Sequence, residues 1–397
     1  MLTGTRKVAV IFHEPVLGGA TQSVLRTVPL LEERGWEFAF WVDKPSPLFD
    51  ELSSRGYEVE GAERLIAWSL PVLRLPPGVR RRLAGTPPYL SRMLAFLREQ
   101  KPALIHANSV IALPEALVAK RSGAPVLLHV HEMSRSSVRG RIARRLAWRV
   151  DEVVAVSRAC ARALAAGGPL PRIVYEAAPI PDTTVPVRSG PRPFVIGSLG
   201  VISTRKGSDV FVEAARLARR RRNSIEFRLV GGLTDILDAE WGNEVIRRAK
   251  EAGIVYQERV ETFEEYSTWD GFVLPSRTDP FPIAMLEAMA SGLPVIGAAS
   301  DGIVEQVTPE CGRLVPPDDP GALAEAMLWL SERTVEERRR MGSAGRRRVV
   351  ENFTVERQAA DLHSAYLAAT GLGELVAEAG AGGRAGTAPR STGRDEN

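Results

Sequence analysis

Short apolar runs alternate with longer amphipathic stretches along most of the chain. Residues 8–12, 38–42, 103–106, 126–130, 152–156 and 173–175 read as short buried strands, separated by helical periodicity over 21–34, 111–121 and 141–149. Strands without a polar face belong in a parallel sheet covered on both sides, and the intervening helices supply the cover. The pattern predicts a doubly wound, Rossmann-like α/β domain. It breaks between Pro179 and Pro193, where five prolines and Ser189-Gly190 exclude a helix. A second series follows, with strands at 194–198, 227–230, 271–274 and 295–297 and helices at 210–221, 235–251 and 283–290. Helices at about 323–331, 335–351 and 355–369 close the chain. The expected division is a first Rossmann-like domain over 1–180, a proline-rich linker over 181–193, a second Rossmann-like domain over 194–345 and closing helices over 346–370. The last of these is expected to pack back on the first domain, and 371–397 reads as a disordered tail.

Composition narrows the function. The 397 residues, 44% hydrophobic and 25% charged, suit a soluble protein with two cores. No apolar run approaches a membrane span, and the run at 8–12 is too short for a signal-peptide core, so the cytoplasm is the expected compartment. Two distant cysteines, Cys160 and Cys311, and five histidines suggest neither a disulfide framework nor a metal site. The net charge is +4, but only six of the 52 basic residues are lysines, so a lysine in a suggestive loop stands out.

The loops after the strands hold the candidate chemistry. His13 to Ala20 brings Gly18 and Gly19 into a helix start, where N–H groups and the helix dipole attract an anion; a plain strand-to-helix turn fits equally. Gly200 to Ser208 places Arg205 and Lys206 before another helix, a fork and a point charge suited to phosphate. In 274–296, a loop carries Asp279, a helix opens near Pro282, and Glu287 lies in its second turn. Asp279 and Glu287 fit hydroxyl acceptors on a sugar and a ribose; a helix cap and an exposed helix position are the structural alternatives.

Asp279-Pro280-Phe281-Pro282-Ile283 followed by Glu287-Ala288-Met289-Ala290-Ser291-Gly292-Leu293-Pro294-Val295 resembles the signature of the retaining GT-B glycosyltransferases of family 4, the glycosyltransferase group 1 domain. The Gly18-Gly19-Ala20 loop, Ile105-His106-Ala107-Asn108-Ser109, His129-Val130-His131-Glu132, Asp151 to Ser157, Asp301 to Glu305 and Cys311 to Val315 extend the resemblance over nearly the whole folded chain. It implies a GT-B fold, two Rossmann-like domains facing across a cleft, and transfer of a sugar from a nucleotide-diphosphate sugar such as a UDP-sugar. Lys206, with Arg205, would neutralise the diphosphate, Glu287 would hold the ribose, and Asp279 would touch the sugar hydroxyls. The backbone at Phe281, Pro282 and Ile283 would face sugar and phosphates, with Gly18 and Gly19 opposite and His131 near the anomeric centre. His131 also reads as a core histidine at a strand end. His129 points the same way in a regular strand, but the family pattern favours His131. No Asp-x-Asp metal motif stands at a strand end, and Asp318-Asp319 reads as a turn, so neither metal nor cofactor is expected.

Three positions depart from the family pattern. Asp279 is one methylene shorter than the usual glutamate, Pro282 stands where glycine is common, and Val201 stands where an arginine is usual, leaving Arg205 to compensate. The acceptor, a small molecule, glycan or lipid-linked hydroxyl, is expected on the first domain near 62–97, where Arg64, Trp68, Arg74, Arg80, Arg81, Arg82 and Met93 lie among apolar residues. That stretch and 135–149 fit either a membrane-surface face or an ordinary arginine-rich one. The runs at 219–222 and 346–348 lack a stacking platform for nucleic acid. Competing readings are a GT-B sugar epimerase, a sugar-phosphate synthase, or a catalytically silent GT-B binding protein.

Overall fold

The computed structural model describes residues 6–63, 86–133, 138–184, 189–190, 192–233, 239–258 and 262–372. Two sheets form, and every strand pairing described is parallel. The first holds β1 (Arg6–Phe12), β2 (Trp36–Val42), β3 (Glu58–Gly61), β4 (Leu104–Asn108), β5 (Val126–Val130), β6 (Glu152–Ala155) and β7 (Arg172–Ile173), in the order β3-β2-β1-β4-β5-β6-β7. The second holds β8 (Phe194–Leu199), β9 (Ile225–Val230), β10 (Val255–Gln257), β11 (Gly271–Leu274), β12 (Val295–Ala298) and β13 (Gly312–Val315), in the order β10-β9-β8-β11-β12-β13.

The apolar pattern does not predict β3, β10 or β13. All three are sheet edges. An edge strand has one flank in solvent and tolerates charge, as Glu58 and Glu60 do in β3, so the continuous apolar signal is missing.

The central strands are fully buried because helices cover both faces. In the first domain these include α1 (Gly19–Glu32), α2 (Pro47–Ser54), α3 (Thr86–Gln100), α4 (Leu113–Ala119), α5 (Val138–Ala147) and α6 (Arg158–Ala165). In the second they include α7 (Ser208–Arg221), α8 (Ala239–Glu251), α9 (Thr262–Tyr266), α10 (Ile283–Ala290), α11 (Ile303–Gln306), α12 (Pro320–Ser331) and α13 (Val335–Asn352). The closing helix α14 (Val355–Ala369) lies on the first sheet: the Tyr366 hydroxyl meets His106 Nδ1 at 2.8 Å, and Trp36 Nε1 donates to His363 Nδ1 at 2.9 Å. Met93, grouped with candidate acceptor residues by its sequence position, is core: it is fully buried in the cluster that contains Tyr89, Phe96 and Leu97.

One apolar cluster runs without a break from Ile11 and Val130 to Phe281, Met285 and Val295, so the two sheets share part of their core. Tyr175, Phe281 and Phe353 join them, with ring centroids 5.0–5.4 Å apart. Glu305 adds a polar tie, accepting from Arg158 N at 3.1 Å and Ala159 N at 2.8 Å, the first N–H groups of α6, and from the Tyr175 hydroxyl at 3.0 Å. The connection into β8 is anchored by Arg192, whose fork meets Asp270 at 2.6 and 2.7 Å. Arg338 and Val195 N also donate to that buried carboxylate. Linker residues 185–188 and 191, the stretch 64–85 with Arg64, Trp68, Arg74 and Arg80–Arg82, and 373–397 lie outside the described residues. Among the described residues no helix is long and apolar enough to cross a membrane.

Candidate functional site

Strand order reverses between β1 and β4 in one sheet and between β8 and β11 in the other. Ligands of open α/β sheets gather beyond the carboxyl ends of strands at such points. The loops after these four strands carry Gly18 and Gly19, Asn108 and Ser109, Val201 to Gly207, and Pro275 to Pro282. The two halves face each other: a Cβ built on Gly19 would lie 3.9 Å from Ile283 Cδ1 at the start of α10. Gly18 caps α1 with extended backbone and no side-chain bond, which leaves the helix start open.

On the second domain, Lys206 Nζ donates to Asp279 Oδ2 at 2.6 Å. The Ser276 hydroxyl donates to the same oxygen at 3.3 Å, and Arg205 Nη1 stands 3.9 Å away. Arg205 is largely exposed and donates to Thr278 O. Asp279 itself is buried, and its N–H donates to Asp301 Oδ2 at 2.9 Å. It does not cap α10, whose cap residue is Pro282 with no side-chain bond. Arg277 braces the whole loop: its fork grips Asp209 at 2.8 Å on both nitrogens, and Nη1 also donates to Thr204 O at 2.7 Å. Gly207 adopts φ 67°, and a Cβ there would sit 2.2 Å from Pro275 O, so only glycine fits this crossing. Asp318, read as a turn residue, is one, at φ 61°, and also meets Arg277; Asp319 caps α12.

Glu287 is buried rather than an exposed helix position. Burial raises its carboxyl above the ordinary value, against the opposing pull of Arg26. Arg26 Nη2 reaches across from α1 to Glu287 Oε1 at 3.1 Å, while Arg26 Nη1 is buried with no partner. No motif marks Arg26 in the sequence, although it stands two helical turns beyond Gly19 on the same face. Phe281 is buried with its ring in the aromatic joint, so only its backbone can face the cleft.

On the first domain, His131 follows β5 directly. It is buried, with Nδ1 2.7 Å from Glu176 Oε1 and Nε2 2.7 Å from Asn108 Oδ1. His129 is fully buried and neither ring nitrogen has a partner, whereas both ring nitrogens of His131 are engaged within the first domain, as the core-histidine alternative also expects. Glu132 turns away, accepting from Ser109 Oγ and from Val110 N at 3.0 Å. Glu176 carried no sequence signal, because it follows the short edge strand β7 outside any motif.

Two family models match this chain in tandem. The model described as Glycosyltransferase Family 4 matches residues 17–175, and the one described as Glycosyl transferases group 1 matches 193–333. The chain belongs to the group 1 glycosyltransferases of family 4. Among curated members, the amylovoran biosynthesis glycosyltransferase AmsK of Erwinia amylovora is 31% identical over 155 residues, which is 36% of this chain and 37% of AmsK. A GDP-mannose-dependent monoacylated α-(1-6)-phosphatidylinositol monomannoside mannosyltransferase of Corynebacterium glutamicum is 30% identical over 161 residues, 38% of this chain and 41% of that one. The matched stretch thus spans about two fifths of these relatives' length. Solved structures share the fold over nearly the full chain. HepE of Anabaena, in complex with UDP and glucose, superposes with a TM-score of 0.71 at 19% identity, covering 94% of this chain and 99% of HepE. Sucrose-phosphate synthase of Thermosynechococcus elongatus gives 0.67 at 20% identity, covering 95% and 100%. The two-sheet architecture of this group 1 glycosyltransferase is therefore GT-B.

Proposed function

We propose that the chain is a retaining, metal-independent glycosyltransferase that moves a sugar from a nucleotide-diphosphate sugar to a hydroxyl acceptor. The observation that carries the reading is the pairing at the start of α10: Lys206 on Asp279 and Arg26 on Glu287 place two buried carboxylates, a lysine and an uncapped helix start around one cleft. Each pair can exchange for a part of the donor. Lys206, Arg205 and the N–H groups of α10 would take the diphosphate, replacing a metal as the counter-charge to the leaving group. Asp279 would then turn to sugar hydroxyls and Glu287 to the ribose, with Gly18 and Gly19 closing from the opposite side. The bond between the anomeric carbon and the phosphate oxygen breaks, the acceptor oxygen bonds on the same face, and the acceptor proton passes to the departing phosphate.

The acceptor reading is a glycan or lipid-linked hydroxyl on the first domain, with the enzyme cytoplasmic and peripheral at a membrane. Ile142 and Trp148, exposed on or just past α5 beside Arg141 and Arg145, suit an anionic surface. The relatives' names point to more than one base, since one is GDP-mannose-dependent and HepE binds UDP.

The test is a thermal-shift and calorimetry panel of UDP- and GDP-sugars with and without EDTA, followed by NMR assignment of the product anomer. Binding and turnover that survive EDTA, with the donor's anomeric configuration kept, are expected. No nucleotide binding, together with no change in Lys206→Ala or Glu287→Ala, overturns the reading.

A further inference from the structure

The hydrogen-bond inventory around His131 determines its protonation. Asn108 Nδ2 donates to Ala20 O at 3.2 Å, so its Oδ1 must be the atom facing His131 Nε2. That nitrogen is therefore a donor. On the other side, Glu176 Oε2 is already filled: Gln358 Nε2 donates to it at 3.3 Å and also to Ser23 Oγ at 2.6 Å, which leaves the Ser23 hydroxyl proton for Glu176. One proton remains, between Glu176 Oε1 and His131 Nδ1. Two donors on Oε2 stabilise the carboxylate, and a carboxylate is the weaker base of the two, so the proton lies on the imidazole.

We propose that Glu176 is a positioning residue that, together with Asn108, holds His131 as a doubly protonated imidazolium at the edge of the cleft. The surroundings agree from every side. On its own strand His129 is buried and held neutral, its titration pushed well down by burial and by His131. From β4, His106 is pushed down to about 3 by burial. Glu132 follows in the chain, and Glu14 faces the ring from the loop after β1, with His13 beside it and Arg205 of the second domain facing Glu14. From α1 and α14 the neutral Ser23 and Gln358 meet Glu176. Burial alone would lower His131; the carboxylates, Glu176 foremost, raise it above the ordinary histidine value.

The consequence for chemistry is specific. An imidazolium with both nitrogens committed as donors cannot accept the proton of an acceptor hydroxyl. His131 instead offers an N–H to an oxygen of the donor when Nε2 leaves Asn108, and the acceptor proton departs by another route. This donor-facing role rests on the transferase reading; the protonation state does not.

Nitrogen NMR of the protein labelled in its five histidines tests both levels. One ring, removed by His131→Gln, is expected with both nitrogens still protonated above the pH at which an ordinary histidine titrates. In Glu176→Gln its titration midpoint should fall by about two pH units, and Glu176→Asp should restore most of the difference. A neutral His131 in the wild type, or a midpoint unmoved in Glu176→Gln, overturns the proposal whatever the protein binds. Calorimetry with UDP and GDP then reads the donor-facing part. Affinity should depend less on pH in the wild type than in Glu176→Gln, where it should weaken as pH rises through the ordinary histidine range. A uniform loss of affinity at every pH, matched by a lowered Tm, would assign Glu176 a purely structural role and overturn it as well.

Discussion

Asp279→Asn separates the two partners that compete for Lys206. The Lys206 ammonium lies 2.6 Å from a carboxylate that is 5% exposed in its side chain. At an effective dielectric of about 20, such a contact carries roughly 6 kcal/mol of gross attraction. Desolvation of both ions offsets most of it, and a net hydrogen bond to a charged group is worth about 1.5–3 kcal/mol. A diphosphate that claims Lys206 must replace that interaction and also settle near the carboxylate left behind. Asparagine keeps the shape and the Ser276 contact but removes the charge. UDP or GDP alone should therefore bind Asp279→Asn about 10- to 100-fold more tightly than wild type. The matching nucleotide sugar should gain less, because its hydroxyls lose the carboxylate. Isothermal calorimetry at two salt concentrations measures both, and the gain should shrink as salt rises. Unchanged or weaker nucleotide binding would mean that Lys206 and Asp279 do not exchange partners, and the assignment of Lys206 to the diphosphate would fail.

Three further outcomes follow from named contacts. Asp270→Asn should cost about 3–5 kcal/mol at pH 7, since Arg192 and Arg338 would lose a buried counter-ion. Burial opposes the Asp270 carboxylate, but Arg192 and Val195 N–H hold it below the usual range, so its contribution is present above about pH 4 and lost as pH falls further; the gap in Tm between variant and wild type should close in acid. Glu287→Gln should weaken nucleotide binding at least about tenfold, read by calorimetry, if the carboxylate holds ribose hydroxyls. Its raised titration means that ionisation costs stability as pH rises above the unfolded value near 4.5, so the Tm difference should move in the variant's favour between about pH 4 and pH 7. Glu305→Ala removes the acceptor of the first two N–H groups of α6, whose N-cap Ser157 remains, and the Tyr175 contact, costing about 1 kcal/mol per lost bond, and small-angle scattering should report a larger radius as the domains loosen.

Much of this architecture is legible in the chain. Apolar runs without a polar face mark the central strands, because a strand buried on both sides has no place for charge. The motif residues Lys206, Asp279 and Glu287 are visible because the loop-to-helix junctions that hold them are local in sequence. Of the four edge strands only β7 shows in the apolar pattern; β3, β10 and β13 do not, since one flank of each is wet. Arg26, Asn108, Glu176 and Gln358 also escaped as partners, for a different reason. Arg26 lies 261 residues from Glu287, and Gln358 lies 335 from Ser23. Which polar side chains share a buried site depends on how two sheets and a returning C-terminal helix pack. The sequence by itself determined two doubly wound domains and the identity of the charged groups at their loops. The tertiary structure alone decided which charges meet, Lys206 with Asp279, Arg26 with Glu287 and His131 with Glu176. The physical reason is that burial removes water as an alternative partner, so each of these groups must find its counterpart across the fold.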